Sequence, residues 1–183
     1  YNSFLDGTKS AVEMVAVSNM TGLVPDVRGM HFPAASIEEI PSVLCPQSDG
    51  GILHASGVVE VVSSVYPDGS DVPNDIRWGV FVVFGTDSDY GRRAMAEYGV
   101  PSGGNGKYGV MYRPYHFVGL ETPISVVTAA LRGEPTGAPM GAPVSEVIAV
   151  AKRQLQPGDV LDGDGGYTVY GEAERAPAAS AEN

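Results

Sequence analysis

Asn2, Asp6, Lys9 and Glu13 are spaced four, three and four residues apart, and that spacing stacks polar side chains on one face of a helix. A lysine held between two carboxylates can act as a general acid or donate to a reacting carbonyl oxygen, with one acid positioning it or passing protons. The same spacing also describes a solvated row of salt bridges, each worth about 0.3–0.5 kcal/mol. Periodicity alone favours this plainer reading. A second group, Tyr112-Arg113-Pro114-Tyr115-His116, gathers a cation, two phenols and an imidazole where a strand is expected to end, which is where sites form in open α/β sheets. Arg113 and His116 suit a carboxylate or phosphate, and the proline stiffens the turn that presents them. The plainer alternative is an arginine paired with a surface acid and a packed Tyr115.

Gly104-Asn105-Gly106-Lys107-Tyr108-Gly109 has the glycine spacing of a pyrophosphate cradle. That cradle must follow a strand and open a helix, whereas this run follows an expected helix and opens an expected strand. No other segment offers the pattern, so a dinucleotide would need a domain outside this sequence. His31 and His54 have no acidic neighbours at metal-ligand spacing and read as structural or exposed.

The elements that would position these groups follow from periodicity and punctuation. Residues 3–21 carry apolar side chains at helical spacing and stop at Gly22. Residues 23–56 hold four prolines and a double glycine and read as a long, packed loop. Val-, Phe- and Trp-rich runs at 57–66 and 76–86 read as two strands paired in one sheet. Ser88-Asp89 caps a helix that ends at Gly99, and a third strand spans 108–113. Pro123 fits the first turn of a further helix, ending at Gly133 and lying on the sheet. Residues 134–143, with three prolines and two glycines, mark a linker. Strands follow at 144–151 and 167–170, and the alanine-rich end reads as a mobile tail or as the start of a further segment.

The 22 acidic residues against 11 basic ones give a formal charge of -11, which repels phosphate backbones and anionic membrane surfaces. Nucleic acid and membrane partners are not expected. One cysteine, Cys45, excludes an internal disulfide and a thiolate zinc cluster and fits a reducing, cytoplasmic setting. No stretch has the length and apolarity of a membrane span or a signal core. The chain opens on Tyr1 directly in a patterned segment, so a piece upstream is expected.

With Asn2-Ser3-Phe4-Leu5-Asp6-Gly7-Thr8-Lys9, Arg77-Trp78-Gly79-Val80-Phe81, Tyr112-Arg113-Pro114-Tyr115-His116 and Leu131-Arg132-Gly133-Glu134-Pro135-Thr136-Gly137 in view, the chain resembles the homoserine-dehydrogenase-like bacterial oxidoreductases, a group that includes the deoxyxylulose-phosphate-reductoisomerase-like enzymes. The resemblance implies an N-terminal Rossmann domain for NAD(P), a catalytic domain that also forms the dimer, and a C-terminal SAF domain. The segment 151–159 resembles the opening of that SAF module, a small β-clip.

The implied fold is α/β, of the α+β kind. A mixed sheet with packed helices forms a catalytic and dimerisation domain over 1–140. A linker and partial SAF domain follow over 141–183, and the Rossmann domain lies outside the sequence. The implied activity is NAD(P)H-dependent oxidoreduction of a small anionic hydroxy or carbonyl compound, by a homodimer. Lys9 donates to the carbonyl oxygen and Asp6 positions it, while Asn2, Arg113, Tyr115 and His116 bind substrate. A reductoisomerase would add a divalent metal that polarises two substrate oxygens, and the acids to nominate for it are Asp6, Glu13 and Glu121. The alternative is a non-catalytic ligand-binding or assembly module built on the SAF unit, in which the acidic stripe is merely solvated.

Overall fold

The computed structural model describes residues 2–163 and 165–182. In chain order the elements are α1 (Asn2–Leu5), α2 (Thr8–Thr21), β1 (Val24–Pro25), α3 (Ile40–Val43), β2 (Val58–Val59), β3 (Val80–Gly85), α4 (Asp89–Glu97), β4 (Ser102–Gly103), β5 (Tyr108–Arg113), α5 (Val118–Arg132), β6 (Ser145–Ala151), β7 (Val169–Arg175) and α6 (Ala176–Glu182). A short 3-10 turn spans Gln47–Asp49. The fold is mixed α and β, with small sheets and several helices. Two compact units divide it: Tyr1–His31, Gly57–Val61 and Gly137–Asn183 make the first, and Phe32–Ser56 with Val62–Thr136 the second.

In the first unit the expected helix over 3–21 is two helices. Gly7 takes a left-handed conformation, φ 82°, which breaks the helix after α1 and restarts it as α2. Gly7 holds the N-cap position, and Asp6 just before it accepts from the Thr8 amide at 3.0 Å, so Asp6 satisfies the first free amide of the restarted helix instead of lying inside a continuous one. The β6–β7 hairpin pairs antiparallel from Ser145↔Arg175 to Ala151↔Val169 and packs against α2. Small residues on this side of the hairpin let the helix approach closely: a Cβ on Gly171 would stand 2.9 Å from Val147 Cγ1 and 3.3 Å from Thr8 Cγ2. β1 and β2 pair in parallel, Val24 with Val58 and Pro25 with Val59.

Several expectations are corrected here. The β6–β7 hairpin, which lies past residue 140, falls in the same compact unit as α2. Of the run 57–66 only Val58–Val59 is strand, and its partner is β1, not the strand of 76–86. The alanine-rich end is helical over Ala176–Glu182, as the high helix propensity of alanine allows.

The second unit is built on the three-stranded antiparallel sheet β3-β5-β4. β5 occupies the residues expected of it, and α4 starts at Ser88, whose hydroxyl accepts from the Gly91 amide. Met95 of α4 is buried and lies where a Cβ on Gly109 would come within 2.7 Å of its sulfur, so the glycine is what lets helix and strand meet. The proline-broken segment supplies much of this unit's core, with Ala35, Ile37, Ile40, Leu44 and Cys45 all buried. α5 departs from expectation twice. It begins at Val118, leaving Pro123 inside it, and none of its residues is buried, so it does not lie on the sheet through Ile124, Val127 and Leu131.

Candidate functional site

Lys9 sits in the first turns of α2, 40% exposed, with its ammonium 2.5 Å from Glu13 one turn on and 5.3 Å from the centre of the Phe4 ring. A shallow, open depression of about 330 Å³ lies here on the face of α2, lined by Thr8, Lys9, Val12 and Glu13. The expected stripe is therefore only half formed. Lys9 and Glu13 share a face, but the break at Gly7 removes Asp6 from it.

Asp6 engages a different lysine. Its Oδ2 lies 2.6 Å from Lys152 Nζ, with the Asp6 side chain 14% exposed and that of Lys152 25%. Burial pushes the Asp6 carboxyl up, but the Lys152 ammonium and the Thr8 donors outweigh it and hold the group below the usual carboxylate range. Asn2 is exposed on α1, its carbonyl accepting from the Asp6 amide at 3.0 Å.

His31 corrects an expectation in the same unit. Its Nδ1 is 2.7 Å from Glu60 Oε1, its backbone N–H donates to both Glu60 oxygens at 3.1 Å, and its Nε2 faces Asp26 Oδ2 at 3.7 Å. The two carboxylates are buried, Glu60 at 4% and Asp26 at 0% side-chain exposure. The flanking residues Met30 and Phe32 both have positive φ, 65° and 52°, an uncommon backbone for side-chain-bearing residues. An imidazole with a carboxylate at each nitrogen can hold or pass a proton. Sequence reasoning missed it because Glu60 is 29 residues from His31.

The remaining nominees lie in the second unit. Arg113 at the end of β5 forms an ion pair with Glu121 at 2.6 Å, and its guanidinium carbon is 5.2 Å from the centre of the Tyr115 ring. Tyr115 stacks in turn on Phe117, centroids 5.1 Å apart. The His116 amide donates to the Trp78 carbonyl at 2.8 Å, and its residue is exposed. Arg113 and Tyr115 are thus together, whereas the Arg113 fork already holds a carboxylate that an incoming anion would have to displace or share.

Two further groups are structural. Asp49 accepts from Tyr108 at 2.6 Å and from Lys107 at 3.1 Å. The Lys107 hydrogen bond to Asp49, with smaller contributions from Asp87 and Tyr108, raises the Lys107 ammonium, and the Asp49 contacts flank the turn formed by Gly104, Asn105 and Gly106, which have φ of 59°, 57° and 78°. The glycine pattern therefore makes the β4–β5 turn and opens a strand, so its residues do not fit a dinucleotide. Cys45 is buried, and burial together with the Asp49 charge pushes its thiol up, which makes it a poor nucleophile.

The acids nominated for a metal do not fit one either. Glu13 is bound by Lys9, Glu121 by Arg113, and both oxygens of Asp6 are taken by Lys152 and Thr8. Among the described residues no helix is long and apolar enough to cross a membrane.

No curated protein matches the chain. A family model described as "Oxidoreductase DRL, catalytic domain" matches residues 1–122, a span that holds Asn2, Asp6, Lys9, Arg113, Tyr115 and His116 along with His31 and Glu60. With two thirds of its length matched, the chain belongs to the oxidoreductase DRL catalytic-domain family.

Proposed function

We propose that this oxidoreductase catalytic domain interconverts a small carbonyl compound that carries an anionic group and the corresponding hydroxy compound, with NAD(P)H as the reductant of the carbonyl and Lys9 as the proton donor. The observation that carries the reading is Lys9 opening, with Glu13, onto the shallow depression on α2 inside the family-matched segment. The nicotinamide, when bound, supplies the hydride. The Lys9 ammonium gives a proton to the carbonyl oxygen as the alcohol forms, and its solvent-exposed side regains one from water. Glu13 keeps the ammonium oriented. Asp6 acts on Lys9 through the start of the helix and not by direct contact. Arg113, whose guanidinium carbon is 5.2 Å from the centre of the Tyr115 ring, holds the anion in this reading, and Asn2, Tyr115 and His116 bind substrate.

The finer kinship, to homoserine-dehydrogenase-like and reductoisomerase-like enzymes with a SAF module from about residue 151, belongs to the same proposal, as do a cytoplasmic setting and a homodimer. So does a dinucleotide domain outside this sequence, because the one glycine-rich pattern is spent on the β4–β5 turn. Titrating NADPH into the isolated chain tests that part. No useful affinity is expected without a phosphate-cradling helix start, and micromolar binding would contradict it. The activity is tested on the full-length enzyme with NADPH and a panel of small carboxylated and phosphorylated aldehydes and ketones. Saturable NADPH oxidation with one of them is expected, and none across the panel would count against the substrate class.

A further inference from the structure

The family match ends at residue 122, yet the helix that carries Lys9 is held by residues beyond it. At the N-terminal end of α2, Lys152 donates to Asp6 Oδ2 at 2.6 Å and to the Gly166 carbonyl at 2.7 Å. It thereby ties the acid at the start of α2 to both ends of the connection between β6 and β7. At the first residue of α2, the Gly171 amide donates to the Thr8 hydroxyl at 3.0 Å, a buried bond. At the far end, the buried Ser18 hydroxyl meets that of Ser145 at 2.5 Å. Asn19 donates to the Ser145 carbonyl at 3.1 Å and accepts from the Val144 amide at 2.8 Å.

We propose that the β6–β7 hairpin is a working part of the oxidoreductase site, with Lys152 as the positioning residue that locks Asp6 and, through the Thr8 amide, the turn of α2 that presents Lys9. The inference rests on reading Lys9 as the proton donor. The division of labour between the two lysines follows from their partners. Lys9 is half exposed, bound to one carboxylate and open to a shallow depression, as a donor must be. Lys152 spends two of its three donors on fixed protein oxygens, which suits an anchor. A charge-assisted bond to a carboxylate that satisfies the first free amide is among the stronger ones available to hold a helix start.

The test uses Lys152→Met, Lys152→Arg and Asp6→Asn in the full chain, with amide hydrogen exchange at Thr8 and a carbon-detected titration of the Asp6 carboxyl. In Lys152→Met the Thr8 amide should exchange about tenfold faster, the scale of losing one hydrogen bond to a charged group, and Asp6 should titrate closer to an ordinary aspartate. Lys152→Arg should recover most of both, and Lys152→Met added to Asp6→Asn should change Thr8 exchange no further. In the full-length enzyme, with NADPH and the best-turned member of the carbonyl panel, Lys152→Met should lower kcat while leaving KM near normal.

Unchanged exchange and titration in Lys152→Met would overturn the clamp. A response in both with kcat unaltered would overturn its role in the site and leave the hairpin as packing alone. A failure of the Lys9 reading is distinguishable, because it appears as normal kcat in Lys9→Met while the exchange and titration signatures of Lys152→Met persist.

Discussion

α2 and α5 are almost equal in length, 14 and 15 residues, and opposite in how they are held. α5 is the more apolar, with Val118, Leu120, Ile124, Val126, Val127 and Leu131 along it, yet every one of these is exposed, Leu131 at 81%. α2 buries only Thr8, Ala11 and Ser18 and is fixed by hydroxyls, an amide and a hydrogen-bonded start. The comparison teaches that a helix that has to present one functional side chain can be placed by small residues and directed polar bonds. These specify position more closely than an apolar stripe, which tolerates sliding and repacking. An apolar stripe as exposed as that of α5 is instead the kind of surface that another molecule covers.

Gly171→Val is expected to have the largest effect on stability. Its side chain would enter the space held by Val147 Cγ1 and Thr8 Cγ2, 2.9 and 3.3 Å from a Cβ there, and overpacking of this kind costs about 1–3 kcal/mol. Chemical denaturation measures it, and a neutral result would mean that α2 is not held as closely as described. Next comes acid pH. The Asp6 carboxyl is held below its ordinary value in the folded protein, so the stability it contributes is present above the unfolded-state value of about 4. That contribution is lost as pH falls through the lower folded-state value. The stability gap between wild type and Asp6→Asn should therefore be constant near neutrality and close below about pH 4. A gap independent of pH would show that Lys152 and Asp6 do not form the pair in solution.

The smallest effect is expected in α5. Leu131→Gln should alter the stability of the isolated chain by no more than about 0.5 kcal/mol, as for surface sites generally. A loss well above that, accompanied by dissociation in sedimentation, would place α5 at a subunit contact and sharpen the contrast with α2.

The sequence was legible where a local signal decides the structure. β5 and α4 follow from strand-forming residues behind a glycine turn and from Ser88 as a cap, both local. Asp6-Gly7-Thr8 also carried its signal, an aspartate before a glycine able to adopt positive φ, but the apolar periodicity running across it from residue 3 to residue 21 masked the break. Distant partners left no trace of that kind. The pairing of Val24 with Val58, the placing of His31 beside Glu60 and the reach of Lys152 to Asp6 depend on which segments the fold brings together. The solvent exposure of α5 was equally hidden, since its spacing is that of a packed helix and only the whole chain shows what covers it. As for the site, Lys9 and its partner Glu13 could be nominated from sequence, but the partner of Asp6 could not: the acid three residues before Lys9 pairs with a lysine 146 positions along the chain.

The most direct measurement is kcat of Lys9→Met in the full-length enzyme, with NADPH and the best-turned carbonyl compound. A fall of roughly a hundredfold or more, the range for one positioned proton donor, with KM little changed, is the result predicted. Arg113→Met should instead act mainly on KM, as expected when uniform binding is removed. A Lys9→Met enzyme with near-normal kcat would contradict the account and return Lys9 and Glu13 to a surface ion pair.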